Sequence, residues 1–176
     1  MGERLSMSVR LARLVLAIIL SLSIVEARQA PEPMTVETLA AKLVDEPTAA
    51  GRDALLSAHG GLVGAPLAQA LLLAGRDARN KGSIERARRA YETMADVAVK
   101  AKAAAPHALA LNNIGLLAYD QGDYQDALDW YAKSLAISEQ SGDDTGVART
   151  LNNMGAAYSF ANALDTARVP LERSLA

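Results

Sequence analysis

The sequence predicts an all-α fold, an α-α superhelix of about two and a half helical hairpins behind an N-terminal helical cap. Apolar residues recur at the three-and-four spacing that places them on one side of a helix. The same residue types also return every 40 positions, which indicates a solenoid of stacked units. The residues that return at this interval are Leu71, Leu111 and Leu151, then Gly75, Gly115 and Gly155, then Ala87, Ala127 and Ala167.

Residues 1–27 have the three parts of a secretory signal: a basic region, an apolar run and a small residue at the cleavage point, Ala27. The apolar run, residues 14–25, has 12 residues, whereas a membrane-spanning helix needs about 20. We therefore expect cleavage after Ala27 and an exported, periplasmic or secreted protein. The alternative is an anchor formed by uncleaved residues 14–25.

A short linker, residues 28–34, contains two prolines and precedes a predicted helical cap at residues 35–65. Two helix-like runs lie in the cap, Thr35 to Asp45 and Pro47 to His59, and their spacing does not match the 40-residue interval. We interpret the pair as a terminal unit that covers the exposed end of the first repeat. The apolar residues expected on their buried faces are Leu39, Leu43, Val44, Leu55 and Leu56.

The repeats occupy residues 66–176 and divide into 71–110, 111–150 and a shorter 151–176. Each unit reads as two amphipathic helices joined by a turn. The first helix is expected to end at Gly82, Gly122 and Asn162, because this position favours a left-handed backbone and asparagine is the next choice after glycine.

Glycine inside a helix costs about 1 kcal/mol relative to alanine, so the glycines at 75, 115 and 155 need a packing reason. Without a Cβ, these glycines allow the second helix of each hairpin to approach closely. The alanines at 87, 127 and 167 lie on that second helix, and their small side chains are expected to permit the same close packing. Pro170 lies inside the last predicted helix and should bend it without ending it.

At Leu-Asn-Asn-x-Gly followed by Gly-Asp-Tyr-x-x-Ala, in residues 111–127, the chain resembles tetratricopeptide repeat (TPR) proteins of the 40-residue, kinesin-light-chain type. The resemblance extends over residues 68–176 and implies a concave groove lined by the first helix of each hairpin. Residues 45–73 also resemble the region before the repeats in bacterial proteins that end in a caspase-like CHAT protease domain. That resemblance implies the N-terminal recognition arm of a longer enzyme.

Composition disfavours the usual catalytic and nucleic-acid-binding classes. The net charge is −2, there is no cysteine, and the two histidines have no partner at metal-ligand spacing. Gly60-Gly61-Leu62-Val63-Gly64 lacks the lysine and hydroxyl of a phosphate-binding loop. We therefore predict no enzyme activity, no cofactor, no metal site, no nucleic-acid partner and no membrane partner after signal cleavage.

The resemblance implies that the groove binds a protein or an extended peptide. In that family, groove asparagines bond to the peptide backbone, a role that suits an amide with both donors and an acceptor; the alternative is that Asn112 and Asn152 are solvated surface. Two further hypotheses remain open, the recognition arm of a longer enzyme and a scaffold that self-associates through its uncapped last helix. The predicted groove residues are Arg76, Arg79, Asn112, Leu116, Tyr119, Asp120, Arg149 and Asn152.

Overall fold

A computed structural model describes the backbone of residues 33–174 and the side chains of residues 33–161. The predicted signal 1–27, its alternative as an anchor and most of the linker 28–34 lie outside these residues. The described part contains α-helices, one 3₁₀ turn at Gly60–Leu62 and no strand. The helices are α1 (Val36–Asp45), α2 (Ala49–Ala58), α3 (Ala65–Asn80), α4 (Ile84–Lys100), α5 (Ala104–Asp120), α6 (Tyr124–Ser141) and α7 (Asp144–Ser174).

Successive helices pack as antiparallel pairs. Helices α3 and α4 form one hairpin and α5 and α6 the next, while α7 packs on α6. The first helices also meet across the pairs, with α3 against α5 and α5 against α7. This stacking of hairpins confirms the predicted all-α superhelix.

The turns inside the first two hairpins use glycine where the backbone needs a positive φ. Gly82 has φ 72° and Gly122 has φ 82°, values that a residue with a Cβ adopts only with strain. Asp123 then begins α6, because its carboxylate accepts a hydrogen bond from the backbone N–H of Asp126 at 3.3 Å. The predicted left-handed turn positions are confirmed at both glycines.

The predicted third turn at Asn162 is wrong, because α7 continues through it to Ser174 as one helix. Two turn-forming residues are missing at this point. Where the second hairpin has Gly122 and Asp123, the third has Asn162 and Ala163. Alanine favours a helix interior and cannot cap a new helix start, so the local sequence does not stop α7.

The helical glycines make room for a tyrosine ring. A Cβ built on Gly75 would lie 2.3 Å from the Cε1 of Tyr91, and one on Gly115 would lie 2.7 Å from the Cε1 of Tyr131. The predicted close packing is therefore confirmed at these two positions. No described atom comes within 4 Å of a Cβ built on Gly155, because no second helix covers that part of α7.

The N-terminal helices cover the first hairpin. In α1, Leu39, Leu43 and Val44 are fully buried in the same core as residues of α3, α4 and α5. The side chain of Thr35 begins α1 by accepting a hydrogen bond from the N–H of Thr38 at 3.2 Å, and Thr48 begins α2 in the same way. This cap fixes the end of the surface formed by the first helices.

Candidate functional site

The first helices α3, α5 and α7 together form one face of the repeat array, which we call the first-helix surface. A hollow of about 380 Å³ lies at its centre, and we call it the central hollow. Its lining mixes arginine and asparagine side chains with two leucines. The lining residues are Arg76, Arg79, Asn80, Leu109, Asn112, Asn113, Leu116, Arg149 and Asn153.

A second hollow of about 290 Å³ adjoins the first toward the N-terminal ends of α3 and α5. Leu109 and Arg149 line both hollows, so the two form one groove along the first-helix surface. Most of the second lining is apolar, and we call it the apolar hollow. Its other lining residues are Ala65, Ala68, Gln69, Met94, Ala105, Pro106 and Asp143.

An ion pair closes the C-terminal end of the central hollow. Arg79 of α3 donates to Asp120 of α5 at two points, Nε to Oδ2 at 2.5 Å and Nη2 to Oδ1 at 3.0 Å. The hydrogen bond to Asp120 raises the pKa of Arg79 above its ordinary value. Two of the predicted groove residues therefore bind each other and hold adjacent hairpins together.

Asn112 is buried and forms part of a polar network between hairpins. Its Oδ1 accepts from Nδ2 of Asn153 at 3.1 Å, and its Nδ2 donates to Oγ1 of Thr150 at 3.3 Å. Thr150 in turn lies 3.2 Å from Oγ of Ser134, which donates to the carbonyl oxygen of Ala108 at 2.8 Å. Buried amides need such partners, so the side chain of Asn112 serves the packing of α5, α6 and α7.

The structure brings five of the eight predicted groove residues into the central hollow and places Asp120 beside it through Arg79. Asn152 is exposed on α7 and does not line the hollow. Tyr119 packs edge-on against Tyr124 and Phe160, with ring centroids 5.4 and 5.8 Å away. The five residues in the hollow are Arg76, Arg79, Asn112, Leu116 and Arg149.

Sequence reasoning missed Met94, Ser134 and Thr150. Met94 belongs to a second helix, which the groove pattern leaves out, yet it lines the apolar hollow. Thr150 stands 40 residues after Ala110, and Ser134 stands 40 residues after Met94. Thr150 and Ser134 therefore place hydroxyls at repeat positions that are apolar one repeat earlier. This difference is the sequence feature that could have predicted the buried network.

The central hollow carries excess positive charge. It contains three arginines. The Asp120 carboxylate beside it is engaged by Arg79, and the Asp143 carboxylate of the adjoining apolar hollow accepts a hydrogen bond from the backbone N–H of Gly146. Among the described residues, no carboxylate lies within ion-pair distance of Arg76 or Arg149. The Nε of Arg149 is buried and has no hydrogen-bond partner in that same set. An anionic ligand would find donors here that the protein itself does not use.

The described part of the chain contains neither a metal-binding cluster nor a membrane-spanning helix. Its histidine and carboxylate side chains form no group that could hold a metal ion. No helix there combines the length and apolar character required to cross a bilayer.

The fold defines a class of protein, a helical-repeat module whose first helices line a groove. Residues 106–176 match the family model for the tetratricopeptide repeat, and the α3–α4 hairpin repeats the same architecture upstream. The matched part of the chain is thus similar to tetratricopeptide repeats, which indicate a protein–protein interaction module. No curated protein matches its sequence.

Proposed function

We propose that the groove on the first-helix surface binds an extended, acidic segment of a partner protein and carries out no catalysis. The observation that carries the proposal is the charge of Arg76 and Arg149 in the central hollow, which no carboxylate of the described residues pairs. Arg149 lies where the two hollows meet, and Arg76 lines the central hollow. A carboxylate accepts two parallel hydrogen bonds from a guanidinium, which favours aspartate or glutamate over a neutral side chain.

The length of the groove fits a short extended peptide. Along α3 it reaches from Ala65 to Asn80, which is about 22 Å at the helical rise of about 1.5 Å per residue. An extended chain rises about 3.3 Å per residue, so about six or seven residues fill it. This is the size of a linear segment rather than of a folded domain.

The apolar hollow supplies a second determinant. Met94 and Leu109 offer a floor without charge, and Pro106 forms one wall. Burying one apolar ligand side chain of leucine size would contribute about 1.5 to 3 kcal/mol before the costs of association. We therefore expect the ligand to carry an apolar residue a few positions from its acidic residue.

The amides that remain free for a peptide backbone are Gln69 and Asn80, which are both exposed at the groove. Asn112 is committed to Asn153 and Thr150, so we do not assign it the backbone-gripping role that the family resemblance implies. Gln69 lies in the apolar hollow and Asn80 in the central hollow. They would bond to the peptide at two separate points.

Selection from a random peptide display library with the full chain tests this proposal. We expect enrichment of segments that combine an acidic and an apolar residue, and loss of that enrichment with Arg76→Glu/Arg149→Glu. The matched control is Arg88→Glu/Lys102→Glu, which makes the same change of charge outside the groove. Enrichment that survives the groove variant would place binding elsewhere, and enrichment of basic segments would contradict the charge argument.

We also propose that the chain is exported and that this binding takes place outside the cytoplasm. The support is the signal-like arrangement of residues 1–27. Mass spectrometry of the protein from a bacterial host should find a mature N-terminus at Arg28 in the exported fraction. An intact Met1 in the cytoplasmic fraction would contradict export.

A further inference from the structure

A third hollow lies between the N-terminal cap and the first hairpin, and we call it the cap hollow. Its volume is about 500 Å³, which exceeds that of the apolar hollow and of the central hollow. Helices α1 and α3 form its walls, and short side chains leave the space between them open. Four alanines contribute to the lining, Ala40 and Ala41 from α1 and Ala70 and Ala74 from α3.

The alanine at position 74 departs from the later repeats. One and two repeats further along, the same position holds Ile114 and Met154. Ile114 is buried in the core, and Met154 packs against the core of the following hairpin. Because Ala74 is shorter than either residue, it fills less of the volume on its side of α3. The cap hollow therefore depends on a difference in sequence between the first repeat and the others.

The neighbouring position also differs, because an exposed leucine replaces an asparagine there. Asn113 donates to the carbonyl oxygen of Leu109 at 2.7 Å, and Asn153 donates to Oδ1 of Asn112 at 3.1 Å. In the first repeat this position is Leu73, which lines the cap hollow and is 55 % exposed. The later asparagines thus serve packing, whereas the leucine presents apolar surface to a hollow. Exposed apolar surface beside a concavity indicates a contact for a ligand.

The cap hollow is continuous with the groove on the first-helix surface. Gln69 lines both the cap hollow and the apolar hollow, which lie on the two sides of α3. Packed helices have axes about 8 to 10 Å apart, a distance that about three residues of an extended chain span. A segment that leaves the apolar hollow over Gln69 therefore reaches the cap hollow about three residues later. The exposed amide of Gln69 can bond to the backbone of the segment at this crossing.

The charge at the cap hollow is opposite to the charge of the central hollow. Glu37 is exposed on α1 and lines the cap hollow. Among residues 33–161, no basic side chain lies within ion-pair distance of it. Arg86 lines the same hollow, but it forms an ion pair with Asp45. A basic ligand residue therefore complements the cap hollow, as an acidic one complements the central hollow.

We propose that the partner segment crosses α3 at Gln69 and places a second apolar side chain in the cap hollow, next to a basic residue that pairs with Glu37. This inference rests on the proposed function, because it extends the same ligand. The ligand then carries, in order along the groove, an acidic residue, an apolar residue, a second apolar residue about three positions further and a basic residue beside it. The bound segment is about ten residues long, and its two ends carry opposite charge.

Two other occupants of the cap hollow would give distinct results. A dimer in light scattering that Leu73→Asn converts to a monomer would assign the hollow to a second copy of the chain. Slow proteolysis of residues 1–32 that Leu73→Asn accelerates would assign it to the N-terminal segment of the chain itself. Either result would overturn the partner segment as the occupant.

Peptide display distinguishes this inference from the proposed function. The full chain and its Leu73→Asn variant are screened against random peptides that are long enough to span all three hollows. With the unchanged chain we expect both apolar residues beside the acidic one, and with Leu73→Asn we expect only the second apolar residue to be lost. Selection of the acidic and first apolar residues alone by the unchanged chain would overturn this inference and leave the proposed function intact. Selection without any acidic residue would overturn both.

The affinity of one selected peptide provides a second readout. Leu73→Asn should weaken its binding about five- to tenfold, and Ala41→Trp, which fills the hollow from an exposed position on α1, should do the same. The matched control is Leu151→Asn, at a leucine that is 51 % exposed and lines none of the three hollows. It should leave binding unchanged, and circular dichroism checks that each variant remains helical. Glu37→Lys should replace the selected basic residue by an acidic one. Equal weakening by Leu73→Asn and Leu151→Asn would overturn the assignment of the cap hollow.

Discussion

Arg79 and Asp120 form a two-point ion pair between the first helices of adjacent hairpins, and the two residues are 41 positions apart. Asn112 and Asn153 are joined by a hydrogen bond across the next pair of first helices at the same separation of 41 positions. Residues one repeat plus one position apart thus face each other along the first-helix surface. Some of the polar side chains on this surface therefore hold the hairpins together. Only the other polar side chains are available to a ligand.

We expect Arg79 and Asp120 to be energetically coupled. Their side chains are each 31 % exposed, so solvent weakens the pair, and a coupling of about 1 kcal/mol is expected for a two-point contact of this kind. A double-mutant cycle with Arg79→Gln and Asp120→Asn, followed by urea unfolding, measures it. The coupling should fall in 1 M NaCl; additive effects of the two substitutions would contradict the pairing.

The two asparagines that the sequence grouped together should behave differently. Asn112→Ala removes a buried amide, takes away the hydrogen-bond partner of Asn153 and leaves Thr150 with Ser134 alone, so it should lower the free energy of unfolding by about 1 to 3 kcal/mol. Asn152→Ala changes an exposed residue and should shift it by about 0.5 kcal/mol or less. Urea unfolding of the two variants provides a direct comparison. Equal effects would show that the buried network contributes little.

Gly115→Ala should destabilise the chain although alanine favours helices. The new Cβ would lie 2.7 Å from Cε1 of Tyr131 and 3.1 Å from the carbonyl oxygen of Ala127. Overpacking costs about 1 to 3 kcal/mol, which exceeds the gain of up to about 1 kcal/mol in helix propensity. Thermal unfolding should show a lower Tm. The loss should shrink in a Tyr131→Leu background, and an equal loss there would locate the clash elsewhere.

Tyr131 should make stability fall at high pH. Burial raises the pKa of Tyr131 to about 12, and the Asp120 carboxylate adds to this effect. A tyrosine in the unfolded chain ionises near pH 10. Below that pH, Tyr131 makes its full contribution to the free energy of unfolding. The free energy of unfolding should fall by about 2 kcal/mol as the pH rises from about 10 to 12.

Tyr131→Phe should remove this part of the alkaline dependence. Its hydroxyl is buried without a hydrogen-bond partner among the described residues, so the substitution should cost little at pH 7. Urea unfolding at pH 8, 10 and 11.5 compares the two chains. Parallel stability curves for the wild type and Tyr131→Phe would contradict the raised pKa.

The sequence was sufficient to predict the repeats because packing imposes the same residue types every 40 positions. Gly115 and Ala127 stand at recurring positions because the core is tightly packed there, with the ring of Tyr131 close to Gly115. The turn at Asn162 was mispredicted because it was inferred from the 40-residue spacing alone. The turn depends on Gly122 and Asp123, and their counterparts Asn162 and Ala163 no longer provide that chemistry.

The candidate site was less predictable than the fold. The repeat pattern identified which helix faces the groove, and five predicted residues do line the central hollow. It did not reveal which polar groups pair with each other. Asn112 bonds to Thr150 and Asn153 across helices, and Arg79 bonds to Asp120, because residue i faces residue i+41 only after the hairpins stack.

The proposed groove is tested most directly by NMR mapping of an acidic peptide on the isotope-labelled full chain. A peptide obtained from the display selection is titrated, and the backbone amide shifts are followed. We expect the largest shifts on α3, α5 and the N-terminal half of α7, around Arg76, Leu109 and Arg149. These shifts should disappear with Arg76→Glu/Arg149→Glu. Shifts concentrated on the second helices α4 and α6 would contradict a ligand groove on the first-helix surface.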